Sequence, residues 1–377
     1  MRAPELRVAY LGIKGLPARG GAERVVEALV AQMPGLSIAS TVYCDAAYTP
    51  ADFELPGVSL VRMPALRGKY SRATSLDLFA ACYAILRGRY DVIHLHNVEA
   101  SFVLPLLRLR YPVIATSHGS AYWRDKWGLG AKRILRAMEI PFARFANIAT
   151  SVSQKDARDL ETRFGRPIMH IPNGVAKTPQ CNRASAQLIL DKHGLVRDQF
   201  AIFVAGRIEP TKGAHLAIEA INRLSSDVPL LIVGDPNHVP SYAAHLRQIA
   251  SARICFEPLV EDQATLFGLM ARATFLIFPS LVEAMAMVLL EAASLGVPII
   301  CSNIEENRQV MLDDALYFES ENVASLTRQL EWGLANRESW AGLGRAAQAR
   351  IQTDYAWDVI ANRYAQLYRD LVPVKPQ

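Results

Sequence analysis

The sequence predicts two doubly wound α/β domains. Short apolar runs alternate with longer amphipathic segments along the whole chain of 377 residues. Most of the short runs are rich in Val, Ile, Leu and Phe and lack polar alternation, which is typical of parallel strands buried on both faces. Because a domain usually takes roughly 100–200 residues, strand–helix repeats in both halves of this chain predict two such domains.

The strands are predicted from the apolar runs. In the first half they cover Arg7–Gly12, Ile38–Tyr43, Val58–Met63, Val92–His96, Val113–Ser117 and Ile148–Val152. In the second half they cover Ala201–Ala205, Leu230–Gly234, Ile254–Glu257, Phe275–Pro279 and Val297–Ser302. Apolar residues at helical spacing predict helices over Ala22–Met33, Ala214–Leu224, Glu261–Arg272 and Glu283–Leu295.

The domain boundary is expected at Ile171-Pro172-Asn173-Gly174. Proline and Asn-Gly interrupt regular structure there, and a polar stretch follows at 177–183. The predicted domains are therefore residues 1–174 and 175–354. The last amphipathic segment, 355–371, is compatible with packing on either domain, so the first domain can include it.

The composition is that of an ordered protein from a reducing compartment. Charged residues make up 20% of the chain and hydrophobic residues 51%, which argues against disorder. The five cysteines are scattered without C-x-x-C spacing, so free, buried thiols are expected. The first residues lack the features of a signal peptide, and no run approaches the roughly 18 apolar residues of a spanning helix. A soluble, cytoplasmic protein is therefore expected.

The net charge of +5 is unevenly distributed. Residues 1–175 carry 23 basic and 14 acidic side chains, whereas the remainder carries 18 and 22. The first half is therefore expected to meet an anionic partner. No nucleic-acid-binding module is visible, so nucleic acid is not the expected partner.

One candidate site follows the strand 201–205 and reads Gly206-Arg207-Ile208-Glu209-Pro210-Thr211-Lys212-Gly213. Ligands of doubly wound sheets bind beyond the carboxyl ends of the strands. Gly206 lets the chain turn away from the strand, and Arg207 and Lys212 place two cations at the start of a helix expected near Gly213. This arrangement suits a diphosphate, and the alternative is a capped loop with solvated charges. No P-loop motif occurs in the chain.

Glu283 and Glu291 form a second candidate. They lie just over two helical turns apart and are expected near one face of the helix 283–295. Carboxylates at a strand-to-helix junction accept hydrogen bonds from sugar and ribose hydroxyls, although Glu283 is also simply a good partner for the helix dipole. Glu291 interrupts the apolar run 284–293, and a carboxylate there needs partners.

Two groups of histidines lie at strand ends in the first half. His118 follows a predicted strand in Thr116-Ser117-His118-Gly119, where a histidine is more often structural than functional. His94 and His96 have the spacing of metal ligands on a strand. No third ligand is apparent in the sequence, so packing or cleft lining is the expected role of this pair.

The loop from Gly12 to Glu23 contains several glycines, including Gly20 and Gly21. It follows the first strand and precedes a helix, so it is expected to be flexible and to tolerate an anion. Its spacing fails the G-x-G-x-x-G pattern, and no later acidic residue completes a dinucleotide fingerprint. A nicotinamide cofactor is therefore not expected.

Taken together, these segments resemble glycosyltransferase family 4, whose members have the GT-B fold of two Rossmann-like doubly wound domains facing across a cleft. The resemblance covers nearly the whole chain and depends on the order and spacing of its motifs. They are Gly20-Gly21-x-Glu23, Asp91-Val92-Ile93-His94-x-His96, Thr116-Ser117-His118-Gly119, Ser151-Val152-Ser153, Ile171-Pro172-Asn173-Gly174, Gly206-Arg207 with Lys212-Gly213, Glu283-x7-Glu291 and Gly296-Val297-Pro298. The segment 118–128 is most similar to bacterial enzymes that build surface polysaccharides.

The resemblance implies a role for each candidate. Arg207 and Lys212 hold the donor diphosphate and stabilise the leaving nucleotide, and Glu291 binds the ribose hydroxyls. Glu283 and His118 contact the donor sugar, His118 from across the cleft. At six further positions, the backbone is implied to approach the donor phosphate, the sugar or the acceptor. These positions are Gly20, Gly21, Gly206, Ala284, Met285 and Ala286.

The implied reaction moves a hexose from a nucleotide-diphosphate sugar to a glycan or lipid-linked acceptor in exopolysaccharide, lipopolysaccharide or O-antigen synthesis. Members of the family retain the anomeric configuration and need no metal, so neither a metal nor a cofactor is implied. Retention without a clear nucleophile is usually drawn as same-face attack, in which the departing phosphate takes the acceptor proton. Alternatives on the same architecture are a nucleotide-sugar epimerase, a phosphorylase and a non-catalytic nucleotide-sugar-binding protein.

The sequence departs from the family pattern at two places. Ala284-Met285-Ala286 stands where the family usually has Gly-Phe-Gly, and alanine removes freedom at positive φ. Pro258 replaces a glycine common in the loop after the third strand of the second domain. The first departure predicts a differently shaped sugar pocket, and the second leaves the choice of base open.

The basic excess of the first half is interleaved with aromatic and apolar residues. Such a surface predicts seating on an anionic membrane near a lipid-linked acceptor, and the alternative is an amphipathic helix with a solvated basic face. The residues concerned are Trp123, Arg124, Lys126, Trp127, Lys132, Arg133, Leu135, Arg136, Phe142, Arg144 and Phe145.

Overall fold

A computed structural model of the chain describes residues 6–68, 71–119 and 128–372. The chain divides into two compact units, one formed by Met1–Gly174 with Trp357–Gln377 and the other by Val175–Ala356. Each unit contains one sheet whose paired strands are parallel, with helices in the connections, as the sequence predicts. The fold class is therefore confirmed as two doubly wound α/β domains.

The sheet of the first unit has the strand order β3-β2-β1-β4-β5-β6-β7. Its strands are β1 Leu6–Leu11, β2 Ile38–Asp45, β3 Val58–Met63, β4 Val92–His96, β5 Val113–Ser117, β6 Ile148–Ser151 and β7 Ile168–His170. The order reverses between β1 and β4, which both lie at the centre and are almost fully buried. Ligands of doubly wound sheets bind at such a reversal, beyond the carboxyl ends of the strands.

The helices of the first unit pack on this sheet. They are α1 Gly21–Gln32, α2 Ser71–Arg87, α3 Leu104–Leu107, α4 Leu129–Ala137, α5 Glu139–Phe145, α6 Gln154–Phe164 and the last helix of the chain, α15 Trp357–Leu371. Side chains of α2, α3 and α5 share one apolar core with the central strands, whereas α15 contacts α1 and β1. The segment 355–371, which periodicity leaves unassigned, thus belongs to the first unit.

The sheet of the second unit has the order β10-β9-β8-β11-β12-β13. Its strands are β8 Ala201–Arg207, β9 Leu230–Asp235, β10 Ile254–Glu257, β11 Phe275–Phe278, β12 Ile299–Ser302 and β13 Leu316–Phe318. Its helices are α7 Arg183–His193, α8 Ala214–Arg223, α9 Pro240–Ile249, α10 Gln263–Met270, α11 Met287–Ser294, α12 Glu305–Met311, α13 Val323–Ala335 and α14 Arg337–Asp354. The chain order again reverses, here between β8 and β11.

The predicted helix over Glu283–Leu295 is wrong at its start, because α11 begins only at Met287. Residues 279–286 form a loop whose backbone groups bond elsewhere: Leu281 N–H donates to the Thr211 carbonyl at 2.8 Å, and the Ser280 carbonyl accepts from the Ser302 hydroxyl at 2.5 Å. Glu283 therefore does not share a helix face with Glu291.

One smaller expectation also differs from the structure. Gly206 lies inside β8, where the pairing with β9 shifts register between Ala205 and Arg207, instead of turning the chain out of the strand. The polar stretch near 177–183 leads into α7, whose first turn is capped by the Asn182 side chain. The short strands β7 and β13 have too few residues to give a pattern of their own.

All five cysteines are free. Cys44 and Cys301 are buried as expected, but the other three are half-buried. Within the described residues, no helix combines the length and the apolarity that a membrane-spanning segment needs.

Candidate functional site

The loop after β8 in the second unit approaches the loop after β11 closely. Gly213 has φ +71° and caps the N-terminus of α8, as the sequence predicts. A Cβ at Gly213 would lie 2.2 Å from the carbonyl oxygen of Pro279. Only glycine fits this position, because both the backbone conformation and the space exclude a side chain. The two loops are therefore fixed relative to each other at the carboxyl edge of the sheet.

Lys212 and Glu283 form an ion pair between these loops. The Lys212 ammonium lies 2.7 Å from Glu283 Oε1, and the two side chains are 23% and 11% exposed. The structure thus brings together two residues that are 71 positions apart in the chain. A partly desolvated pair of this kind presents a cation and a carboxylate at one edge, ready to bind an anion and a hydroxyl side by side.

Arg207 ends β8 and is half-buried. Among the residues that the structure describes, none makes a hydrogen bond or ion pair with its guanidinium. Its planar fork of donors matches a phosphate group. The N-terminus of α8, which follows Lys212, adds the partial positive charge of a helix start. The expected pair of cations thus lies between the end of β8 and the N-terminus of α8.

Glu291 lies inside α11 and is 1% exposed. Its Oε1 accepts a hydrogen bond from Gln263 Nε2 at 3.1 Å. Gln263 is the first residue of α10, so the first turn of one helix holds the carboxylate of the other. The sequence predicts a partner for Glu291 but does not identify Gln263, because the contact joins two separate helices.

The residues Ala284, Met285 and Ala286 adopt negative φ, and Ala286 caps α11 with φ −78°. The alanines are therefore unstrained, and the freedom that the family's glycines offer at positive φ is not used in this chain. Ala286 is 7% exposed, and its methyl group belongs to the apolar core of the second unit. Ala284-Met285-Ala286, the first departure from the family pattern, thus replaces backbone freedom with packing of Ala286 in the core.

A cavity of about 90 Å³ lies at the carboxyl ends of β8, β9 and β10. Pro258, the second departure from the family pattern, is part of its lining. Its other lining residues include Ile208, Arg247, Phe256 and Glu257.

Glu257 at the end of β10 accepts hydrogen bonds from Lys192 Nζ and His193 Nε2, both at 2.7 Å. Burial opposes ionisation of this carboxyl, but the two hydrogen bonds outweigh it and hold its pKa below the usual value.

The first unit has a row of three histidines at the ends of β4 and β5. His96 Nδ1 lies 2.9 Å from His118 Nε2, with the ring centroids 5.2 Å apart and 22° between the ring planes. His94 has both ring nitrogens engaged, with the Tyr368 hydroxyl at 2.7 Å and the Thr116 hydroxyl at 2.6 Å. The sequence singles out His118 and the His94–His96 pair separately, and the structure places them side by side.

These histidines are neutral at pH 7. Burial, followed by the charge of His118, lowers the pKa of His94 to about 3. Burial, followed by the charges of His94 and His118, also lowers the pKa of His96. Burial lowers the pKa of His118 to about 4. A neutral imidazole offers one donor and one acceptor, so this row suits hydrogen bonding to a hydroxyl.

The segment after β5 is anchored by Asp156, which sequence reasoning does not single out. Its carboxylate accepts hydrogen bonds from the hydroxyls of Ser117 at 2.7 Å and Ser151 at 2.9 Å. The Ser117 hydroxyl in turn accepts from the Gly119 amide at 3.2 Å. The Ser117 and Ser151 positions were visible as motif residues, but their shared carboxylate depends on the pairing of β5 with β6.

Gly20 and Gly21 stand at the start of α1, Gly20 as its extended N-terminal cap. A Cβ at Gly21 would meet no atom within 4 Å, so the space beside this backbone is open. Trp123, Arg124, Lys126 and Trp127, which the sequence assigns to a basic aromatic surface, lie outside the described residues.

Two protein-family models match the chain. Glycosyltransferase Family 4 matches residues 19–177, and Glycosyl transferases group 1 matches residues 186–350. A glycogen synthase of Mycobacterium tuberculosis is 25% identical over 300 residues, which are 74% of this chain and 69% of that protein.

Several solved structures are similar over almost the full chain. Sucrose-phosphate synthase from Thermosynechococcus elongatus has a TM-score of 0.80 at 20% identity, covering 97% of this chain and 99% of that one. The Anabaena HepE protein in complex with UDP and glucose has a TM-score of 0.80 at 18% identity, covering 97% and 100%. At these identities the likeness concerns the fold. With both halves matched by glycosyltransferase models, the chain belongs to glycosyltransferase family 4 and is a glycosyltransferase of the GT-B fold.

Proposed function

We propose that the protein transfers a hexose, with retention of anomeric configuration, from a nucleotide-diphosphate sugar to a glycan or lipid-linked acceptor in bacterial surface-polysaccharide synthesis. The observation that carries this proposal is the Lys212–Glu283 ion pair at 2.7 Å, with Arg207 at the end of β8, the strand that leads into the loop of Lys212. It places two cations and a carboxylate at the carboxyl edge of one sheet, where a sugar diphosphate needs them.

In this proposal the cations act on the leaving group. As the bond from the anomeric carbon to the diphosphate oxygen breaks, negative charge grows on that oxygen. Arg207, Lys212 and the N-terminus of α8 stabilise it. The acceptor hydroxyl attacks from the same face, forms the new bond to the anomeric carbon and gives its proton to the departing phosphate. No group on the protein needs to form a covalent intermediate.

The remaining candidates position the donor. Glu283 accepts hydrogen bonds from sugar hydroxyls and Glu291 from the ribose, while the backbone of Gly206 and of 284–286 approaches the donor. The cavity lined by Phe256 and Pro258 receives the base. The UDP and glucose held by HepE, a protein of the same fold, support a nucleotide sugar as the donor.

In the first unit, His118 is proposed to hydrogen-bond the donor sugar. The open space beside Gly21 leaves room for an acceptor or a phosphate against the start of α1. Neutral imidazole and backbone amide groups bind hydroxyls without adding charge.

The outer surface of α4 supports a membrane-bound acceptor. Leu129 and Ile134 are 81% and 65% exposed, and α4 also carries the exposed cations Arg133 and Arg136. An exposed helix that carries both large apolar side chains and cations fits the surface of an anionic bilayer. We propose that this helix seats the protein on such a surface, near a lipid-linked acceptor.

The donor is tested by incubating the purified protein with UDP-, GDP- and dTDP-sugars in the presence of EDTA. One nucleotide sugar is expected to raise the melting temperature, and Arg207→Ala is expected to abolish that rise. Nuclear magnetic resonance of the glycoside formed should show the anomeric configuration of the donor. An inverted product would refute the same-face reaction, and no binding of any nucleotide sugar would refute the donor site.

The membrane proposal is tested by co-sedimentation with phosphatidylglycerol and phosphatidylcholine vesicles. Binding is expected only to the anionic vesicles and is expected to be lost in Ile134→Asp with Arg133→Glu. Leu188→Asp, at an equally exposed leucine of the second unit (71%), is the matched control and should bind normally. Equal binding of the wild type to both vesicle types would contradict the proposal. Equal binding of the Ile134→Asp/Arg133→Glu variant and the Leu188→Asp control would contradict it as well.

A nucleotide-sugar epimerase remains the alternative that the same donor site would support. It would release an altered nucleotide sugar in the absence of any acceptor. The two reactions are distinguished by incubating the protein with the nucleotide sugar and no acceptor, and analysing the nucleotide sugar by chromatography. An epimerase would convert the donor into an isomer of the same mass.

A further inference from the structure

We infer that His96 is a positioning residue: it holds His118 in the tautomer that carries its proton on Nδ1, so that His118 presents a fixed N–H donor. That this N–H of His118 binds a sugar hydroxyl rests on the proposed function, whereas the tautomer of His118 is a property of the protein without ligand. The starting observation is the 2.9 Å hydrogen bond between His96 Nδ1 and His118 Nε2.

His96 is held rigidly. It is fully buried at the end of β4, its ring lies 4.0 Å from the His94 ring, and it stacks on Tyr10 at 6.2 Å. Its backbone is in close contact with Gly12, because a Cβ at Gly12 would lie 1.9 Å from the His96 carbonyl oxygen. With ring and backbone both packed, His96 has one orientation toward His118.

The hydrogen bond has two possible directions. If His96 donates from Nδ1, its Nε2 is an unprotonated nitrogen. If His118 donates from Nε2, then His96 carries its proton on Nε2. Within the described residues His96 Nε2 is buried and has no hydrogen-bond partner. The second direction would therefore bury an N–H group without an acceptor, which proteins tolerate less well than an unused lone pair. His96 is thus the donor.

With Nε2 accepting this bond, neutral His118 must carry its proton on Nδ1. Among the described residues none is hydrogen-bonded to that atom, so the N–H remains available to a ligand. An imidazole free in water prefers its proton on Nε2. His96 therefore reverses the ordinary preference and removes the need to reorient His118 when a hydroxyl oxygen binds.

The tautomer is measured directly by nitrogen-15 spectroscopy of the full-length protein labelled at histidine, at pH 7.5 and without ligand. The His118 signal is identified by its loss in His118→Gln. A protonated Nδ1 and an unprotonated Nε2 are expected for His118. A protonated Nε2 on His118 in the wild-type protein overturns the inference, whether or not the protein transfers sugar.

Three variants separate positioning from packing. His96→Leu should shift His118 toward the Nε2-protonated form and lower kcat/KM for the donor about tenfold. His96→Asn keeps a side-chain N–H near the original Nδ1 and should restore both the tautomer and most of the activity. Tyr368→Phe removes the hydrogen bond to His94 without touching His96 and should leave His118 unchanged. Loss of activity in His96→Leu without a change of tautomer, or in His96→Asn to the same extent, overturns the inference.

Discussion

The Lys212 ammonium and the Glu283 carboxylate, 2.7 Å apart, join two loops that follow different strands of one sheet. The same loops are tied by the Leu281 amide bound to the Thr211 carbonyl. The ion pair is therefore a preformed part of the edge and does not have to be assembled by a ligand. In the absence of a ligand, Glu283 partly neutralises the charge of Lys212. The lysine is therefore expected to stabilise a diphosphate most strongly when negative charge develops on it as the donor bond breaks.

Replacing Lys212 by methionine is expected to lower kcat by about 10²–10³, because a cation facing the leaving diphosphate is lost. The KM of the acceptor should change little. The matched control is Arg350→Met, which breaks another ion pair of the second unit, between Arg350 and Asp314 at 2.7 Å. Steady-state kinetics of both variants is the measurement. A loss of kcat no larger than that of the control would contradict a role in the reaction.

Gly213 and Gly206 are expected to respond differently to replacement by alanine. Gly213→Ala should lower the free energy of unfolding by roughly 1–3 kcal/mol, because its φ is +71° and the new Cβ would meet Pro279. A Cβ at Gly206 would meet no protein atom within 4 Å. Gly206→Ala should therefore leave stability unchanged within about 0.5 kcal/mol.

If a donor lies against the Gly206 backbone, however, Gly206→Ala should raise its Kd at least tenfold. Urea unfolding and calorimetric titration with the nucleoside diphosphate that binds the wild type separate the two effects. Full donor affinity in Gly206→Ala would show that no ligand approaches this backbone.

Local pattern predicts most strands and the start of α8, but not the contacts between segments. The strands over Val58–Met63, Val92–His96 and Val113–Ser117 have the predicted bounds, because the first is followed by Pro64 and the other two end in polar residues. The helix expected at Glu283 starts later, although the segment has helical spacing. Just before it, the Leu281 amide donates to the Thr211 carbonyl and the Ser280 carbonyl accepts from the Ser302 hydroxyl, and both partners are distant in the chain.

The histidine row shows the same limit in the candidate site. His96 pairs in register with Thr116, two residues before His118. Strand register cannot be obtained from the composition of either strand, so the contact between His96 and His118 is invisible in the sequence. Residue types at strand ends indicate where a site lies, whereas long-range pairing decides which of them meet.

Stability is expected to fall as the pH drops from about 6.5 toward 3, in part because of His94. Its pKa is about 3 in the folded protein and near 6.5 when unfolded. In this range the unfolded chain binds a proton that the folded protein does not, so acid favours unfolding by about 1.4 kcal/mol per pH unit. His94→Gln should lose less stability than the wild type between pH 6.5 and pH 5 in urea unfolding. His245→Gln, at an exposed histidine, should behave as the wild type, and equal losses in all three proteins would exclude His94 as a cause.

Asp77 is expected to have the opposite dependence. Burial, followed by the charge of Glu99, raises the pKa of Asp77 in α2 to about 8. Between about pH 4 and pH 8 the folded protein holds a proton that the unfolded chain has released, so this contribution to stability is lost as the pH rises. Asp77→Asn removes the titration. Its stability relative to the wild type should therefore improve steadily from pH 5 to pH 8, and a constant difference would show that Asp77 is ionised throughout.

Glu291→Gln is expected to weaken binding of the nucleoside diphosphate by about 10- to 100-fold, the range of a hydrogen bond to a buried charge. Glutamine keeps the size of the side chain beside Gln263, so the change removes charge with little change of shape. The proposed ribose contact predicts more than a loss of affinity. A 2′,3′-dideoxynucleoside diphosphate lacks the hydroxyls, so it should bind the wild type and Glu291→Gln equally well. Calorimetric titration of both proteins with both nucleotides completes a double-mutant cycle. If the dideoxynucleotide loses as much affinity on mutation as the ribonucleotide, Glu291 acts through the packing of α10 against α11 and does not bind the ribose.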